Sequence, residues 1–141
     1  MKRATMPLLA VMAALSLVTC RYLPLGLGDD SSPADMADDE ITAEMTSLRG
    51  RIATEIGDPV CTRPNQCRTI GMGAKPCGGV SQYLIYSTGV TDSVALKNLV
   101  GRYNTLSREM NDRHHLISDC MVVLPPDVGC VDGRCGRIEG N

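Results

Sequence analysis

Among its 141 residues the chain has no Phe and no Trp, and its aromatics are Tyr22, Tyr83, Tyr86 and Tyr103. Large aromatic side chains supply much of the buried area of a small core, so a core of the usual aromatic-rich kind is excluded. No basic excess exists either. Residues 41–141 carry 11 Lys and Arg against 10 Asp and Glu, with no aromatics interleaved among the bases, which excludes a nucleic-acid footprint. No apolar run approaches the roughly 20 residues that cross a bilayer; the longest, residues 7–18, has 12. Neither G-x-G-x-x-G nor G-x-x-x-x-G-K-[ST] is present to cradle phosphate, and no G-x-S-x-G elbow presents a nucleophile.

What the chain has in quantity is cysteine, seven in all. Six of them (Cys61, Cys67, Cys77, Cys120, Cys130 and Cys135) lie in the second half, and Cys20 stands apart. Residues 1–19 read as a signal peptide, with the basic start Met1-Lys2-Arg3 followed by a short apolar run. Leu17-Val18-Thr19-Cys20 resembles the lipobox of bacterial lipoproteins, in which the cysteine is acylated and becomes the new N-terminus. Thr19 departs from the pattern, standing where Gly, Ala or Ser is usual. Ordinary cleavage after Ser16, giving a secreted or soluble periplasmic protein, is the alternative. Parity favours Cys20 as the lipidation site, because an unpaired thiol in an exported protein requires an explanation. If the resemblance holds, Arg21 after the cysteine implies outer-membrane sorting, facing the periplasm.

Residues 20–40 read as a flexible tether. They hold Gly26, Gly28, Ser31, Ser32 and Pro33, and six acids against the single base Arg21, too polar a stretch to bury a core. The remaining residues, 41–141, are an ordinary length for one domain. Three disulfides at about 2–4 kcal/mol each would offset the missing aromatics, and export to an oxidising compartment makes them chemically plausible. A zinc site is not expected. Only Cys130-x₄-Cys135 shows the short spacing of structural zinc ligands, and no cofactor signature accompanies it.

Apolar periodicity predicts an α+β domain. Ile41, Met45, Leu48, Ile52 and Ile56 mark a helix stopped by Gly57 and Pro59. Thr91-Asp92-Ser93 would cap a second helix with the stripe Leu96, Leu99, Val100, Tyr103, Leu106 and Met110, fading near His115. Residues 82–88 and 116–124 are rich in β-formers and predict strands. Asp132-Gly133 predicts a C-terminal hairpin, with Val131 facing Arg134 and Cys130 facing Cys135. That second pair occupies a non-hydrogen-bonded position, where side chains approach most closely. A Cys130–Cys135 bridge is therefore geometrically feasible, one pairing within the fifteen connectivities that six cysteines allow.

Two places merit a functional reading. Gly71, Gly73, Lys75, Gly78 and Gly79 flank Cys77 in a glycine-rich stretch, either a connector held by its cysteine or a binding loop made rigid by it. His114 and His115, with Asp112, Ser118, Asp119 and Cys120 close in sequence, admit a small secreted hydrolase. The duller reading is that Arg113, His114 and His115 complement the negative end of the second helix.

The residues Cys67-Arg68, Lys75-Pro76-Cys77-Gly78-Gly79, Tyr83, Tyr86-Ser87, Ser118-Asp119-Cys120 and 130–135 together resemble a family of small exported bacterial proteins of unknown function. The family is described as lipoproteins with a six-cysteine C-terminal domain. The resemblance covers roughly residues 61–135; it implies a disulfide framework and no catalytic residues. The preferred expectation is a non-catalytic binding or accessory domain, held to the membrane by its lipid and open to an envelope protein partner. An inhibitor of a secreted hydrolase is a special case of it.

Overall fold

The computed structural model describes residues 32–138. The expectations for residues 1–19, for Cys20 and Arg21 and for most of the tether lie outside the described residues. Two helices and two small antiparallel sheets follow one another as α1 (Asp38–Ile56), β1 (Cys67–Met72), β2 (Gln82–Ser87), α2 (Ser93–Arg113), β3 (Val128–Val131) and β4 (Arg134–Arg137). Three disulfides join them. The fold is a small disulfide-braced α+β domain.

Both helices form where the apolar spacing places them. Asp38, Asp39 and Glu40 occupy the first turn of α1, where carboxylates complement the positive end of a helix. This corrects the boundary of the flexible tether. A 3₁₀ turn at Pro33–Asp35 precedes the helix, and the acidic residues 38–40 are helical rather than part of a spacer. At the other helix Asp92 is the N-cap, its carboxylate accepting the N–H groups of Val94 (2.8 Å) and Ala95 (3.1 Å).

The helices run antiparallel. Glu55, near the end of α1, accepts the Asp92 N–H at 3.0 Å, while Arg113, ending α2, reaches Asp38 at 3.0 Å. Ile41, Leu48 and Ile52 of α1 pack with Leu96, Val100, Tyr103 and Leu106 of α2 in one cluster that Met36, Met72 and Tyr86 complete. Arg102 grips Glu44 through two bonds of 2.8 and 2.9 Å, and the Arg49 guanidinium lies 5.3 Å from the centre of the Tyr103 ring.

Sheet one pairs β1 with β2, Cys67 opposite Ser87 through Met72 opposite Gln82. Strand β1 was not foreseen; it takes up the first glycine of the glycine-rich stretch, Gly71. Sheet two is the expected hairpin, with Cys130 opposite Cys135 and Val131 opposite Arg134. Asp132 and Gly133 both take positive φ, 48° and 79°, the conformation a two-residue primed turn requires. The far side of β4 is covered as well. Cys135 donates its N–H to Pro59 (2.9 Å) and Cys61 donates to Gly133 (2.8 Å), so residues 59–61 lie along the hairpin.

That neighbour corrects the Cys130–Cys135 bridge. The two cysteines do face each other, but the bonds formed are Cys61–Cys130 and Cys67–Cys135. Residues 59–61 and the start of β1 bring competing sulfurs against the hairpin, and the four cysteines with Ile85 and Val128 form a second small core. The third bond is Cys77–Cys120.

The expected strand at 116–124 is also corrected. These residues adopt no regular structure. Cys120 takes a left-handed φ of 53° and its sulfur is bonded to Cys77, which turns the chain in mid-segment. Aliphatic β-formers make a strand only when a partner edge receives them, and none does here among the described residues.

A cross-linked two-loop surface as the candidate functional site

The glycine-rich stretch and residues 116–124, far apart in sequence, meet on one side of α2. A polar row on that helix holds the first loop by its backbone. Asn104 accepts the Gly73 N–H (2.6 Å) and donates to the Gly71 carbonyl (3.1 Å). Ser107 accepts the Ala74 N–H (3.0 Å), and Asn111 donates to the Ala74 carbonyl (2.9 Å). Residues three and four apart share a helix face, so Asn104, Ser107 and Asn111 form one row beside the apolar stripe. The sequence signal for them is slight: Asn104, Ser107 and Asn111 are polar residues at helical spacing on α2, and all three are half-buried.

Close backbone approach explains two of the glycines. A Cβ on Gly71 would lie 2.6 Å from a methyl of Val80, and one on Gly73, at φ +80°, would lie 2.7 Å from the Ser81 hydroxyl. The loop then turns tightly, Gly78 donating to the Lys75 carbonyl (2.9 Å) and Lys75 to that of Gly79 (3.1 Å).

Lys75 reaches across to the second loop, where its Nζ bonds Asp119 Oδ1 (2.8 Å) and the Met121 carbonyl (2.7 Å). With the Cys77–Cys120 bond, this fastens the two loops at adjacent points. Between them lies a concavity of about 400 Å³, lined by Lys75, the disulfide, Val80, Tyr83 and residues 121–123. Larger hollows lie between α1 and α2, where Ser47, Arg51, Glu55 and Asn98 contribute to the lining, and between α1 and sheet one, where Ile52, Ile56, Leu84 and Ile85 do.

The Lys75 hydrogen bond, followed by the Met121 N–H, holds the Asp119 carboxyl below the ordinary 3.8. A depressed carboxyl stabilises the folded state fully above its unfolded value, and that contribution is lost as pH falls through the lower folded value. The Met121 amide donates to Asp119 at 3.1 Å. Its chemical shift should therefore titrate with a midpoint below 3.8 while the helices remain folded. A midpoint at or above 3.8 would mean that the two loops are not fastened through Lys75.

The histidines lie elsewhere in the bonding pattern. His114 Nε2 is 3.0 Å from Asp38 Oδ2, and His115 follows the helix end, exposed and at φ 46°. Among the described residues no hydrogen bond joins either histidine to a serine, threonine or cysteine. Ser118 is engaged with the Cys120 N–H and the Cys120 sulfur is in a disulfide. Arg113 stands in the last turn of α2, where a basic residue complements the negative helix end. It donates to the carbonyls of Pro33 (2.7 Å), Ala34 (3.0 Å) and Met36 (2.6 Å), and pairs with Glu109 (2.7 Å) and Asp38. The Arg113 hydrogen bond in turn holds Asp38 below the usual carboxylate value. The sulfurs of Cys61, Cys67 and Cys135 lie within 4.8 Å of one another, gathered as two disulfides rather than as thiolate ligands.

Comparison with family models, characterised proteins and solved structures finds no match for this chain.

Proposed function

We propose that the chain is an exported bacterial envelope protein, lipid-anchored at Cys20 after removal of residues 1–19. Its disulfide-braced domain acts by binding an envelope partner through the two-loop surface rather than by catalysis. The observation that carries this reading is the fastening of that surface. A disulfide, a lysine bridging two loops and three helix side chains fix some fifteen residues that form no part of the main core. Holding a loop in one conformation lowers the entropy lost on binding, and an exposed loop so heavily constrained is otherwise hard to account for. The cysteine pairing supports the anchor separately. Six of the seven cysteines are bonded to one another, leaving Cys20 as the remaining thiol, the one beside the lipobox-like residues.

Chemical cross-linking in envelope preparations tests the binding role. A variant with residues 73–79 scrambled around a retained Cys77 should lose the adducts that the wild-type chain forms while remaining in the membrane fraction. Undiminished adducts would remove the two-loop surface as the binding site.

A further inference from the structure

Residues 116–124 present an apolar surface that the fold does not cover. Ile117 is 94% exposed, Val122 80%, Leu124 75% and Met121 68%. Elsewhere among the described residues the exposed large aliphatics are scattered, as at Val60, Val90, Val94 and Ile138, which is ordinary for a protein surface. Four within eight residues of one loop is not, and exposed apolar surface concentrated in one place marks an interaction site. The loop cannot relieve this exposure by folding inward. Cys120 is bonded to Cys77, and Lys75 holds both Asp119 and the Met121 carbonyl. The same lysine neutralises the only charged side chain in the segment, so what projects is aliphatic and without net charge.

The place where the described chain begins points to the occupant. Arg113, the last residue of α2, binds the carbonyls of Pro33, Ala34 and Met36, and Leu116 follows only three residues later. The preceding stretch therefore enters the domain at the root of the apolar loop. Eleven residues, 21–31, lie between Cys20 and Ser32. An unfolded linker of that length would have a root-mean-square span of about 20 Å. A lipid on Cys20 would keep the loop close to a bilayer at a high effective concentration, where a weak contact suffices.

We propose that the 116–124 loop is a second membrane contact, seating Ile117, Met121, Val122 and Leu124 in the interfacial layer of a lipid bilayer. This rests on the reading of the protein as an anchored envelope protein, and it names the envelope component that the apolar half of the two-loop surface meets. Its role is to orient the domain. One point of attachment leaves a domain free to tumble, whereas two fix which face looks away from the membrane.

The test uses residues 31–141 without leader or lipid. They form a compact unit of their own that contains every core residue and all six bonded cysteines. The probe is a vesicle of phosphatidylethanolamine and phosphatidylglycerol in equal parts, and the readout is co-sedimentation over a lipid titration. The wild-type unit should partition measurably, and the double substitution Ile117→Ser with Val122→Ser should lower the partition coefficient about tenfold or more. Both side chains are too exposed for their loss to unfold the domain, which an unchanged thermal midpoint would verify. Equal partition of the two proteins overturns the proposal, as does a wild-type unit that stays in the supernatant. A wild-type unit that stays soluble as a dimer, and becomes monomeric on the same substitutions, also overturns it and makes a second copy the occupant. Because this unit lacks Cys20, its result is independent of whether the anchor exists.

Discussion

Replacing Cys67 and Cys135 together with alanine should lower the unfolding free energy by about 3 kcal/mol, and removing Cys61 and Cys130 as well should bring the total loss to about 6.5 kcal/mol. The excess over twice the single loss follows from the topology. The sequence separations are 69 and 68 residues, but Cys77–Cys120 already bridges that span, so each bond by itself closes a ring of about 27 residues and constrains the unfolded chain by about 3.5 kcal/mol in the chain-entropy picture. Once either is present, the other closes only the short ring made of residues 61–67 and 130–135. A ring of about a dozen residues contributes about 3 kcal/mol. Each bond is therefore worth the smaller figure while its neighbour survives and the larger one when it does not, a coupling of the kind that double-mutant cycles detect. A domain of this size has a total stability of about 5–15 kcal/mol, so loss of both bonds should leave much of the chain unfolded at ambient temperature. Urea unfolding of the two paired variants and of the quadruple variant measures this. The alternative pairing, Cys61 with Cys67 and Cys130 with Cys135, closes two separate short loops at about 2 kcal/mol each. Either paired variant would then remove one partner of each bond and show the full loss of about 4 kcal/mol by itself, with no further loss in the quadruple variant, which would contradict the connectivity described here.

Replacing Cys20 with alanine should move the full-length protein from the membrane fraction to the soluble one. Each buried methylene of an acyl chain contributes about 0.8 kcal/mol, and two or more chains make attachment stable, whereas a single chain gives only reversible association. The aliphatic loop at 116–124 belongs in the reversible class. It should retard the unanchored protein on membranes without retaining it through washing, so the release should be nearly complete after dilution. Combining Cys20→Ala with the Ile117→Ser and Val122→Ser substitutions should remove the residual association too. A Cys20→Ala protein that still pellets after washing would falsify the lipid assignment, whatever the loop does.

Elements that depend on neighbours in sequence were readable, and those that depend on distant partners were not. The stripe from Ile41 to Ile56 and the Asp92 cap with its stripe to Met110 carry their own periodicity and stop signals, so both helices lie where the spacing puts them. Asp132-Gly133 encodes its turn in two residues, and the hairpin register follows. Disulfide pairing is different. Cys130 and Cys135 are opposite each other as the turn dictates, yet their partners come from residues 61 and 67, which local pattern does not connect to the hairpin. Residues 116–124 mislead for a related reason, because β-forming side chains report burial on a pleated surface and this loop has no such surface to join. The glycine-rich stretch was legible as a constrained loop. That Asn104, Ser107 and Asn111 hold it, and that Asp119 and Cys120 complete it, required the packing of α2 against sheet one. The anchor stays a matter of sequence, since Cys20 lies outside the described residues.

The most direct test of an anchored, disulfide-locked envelope domain is one intact mass of the protein recovered from membranes without reduction. The expected value is that of a chain beginning at Cys20, increased by its acyl groups and diminished by the six hydrogens that three disulfides remove. An unmodified chain beginning elsewhere, or six free thiols, would contradict it.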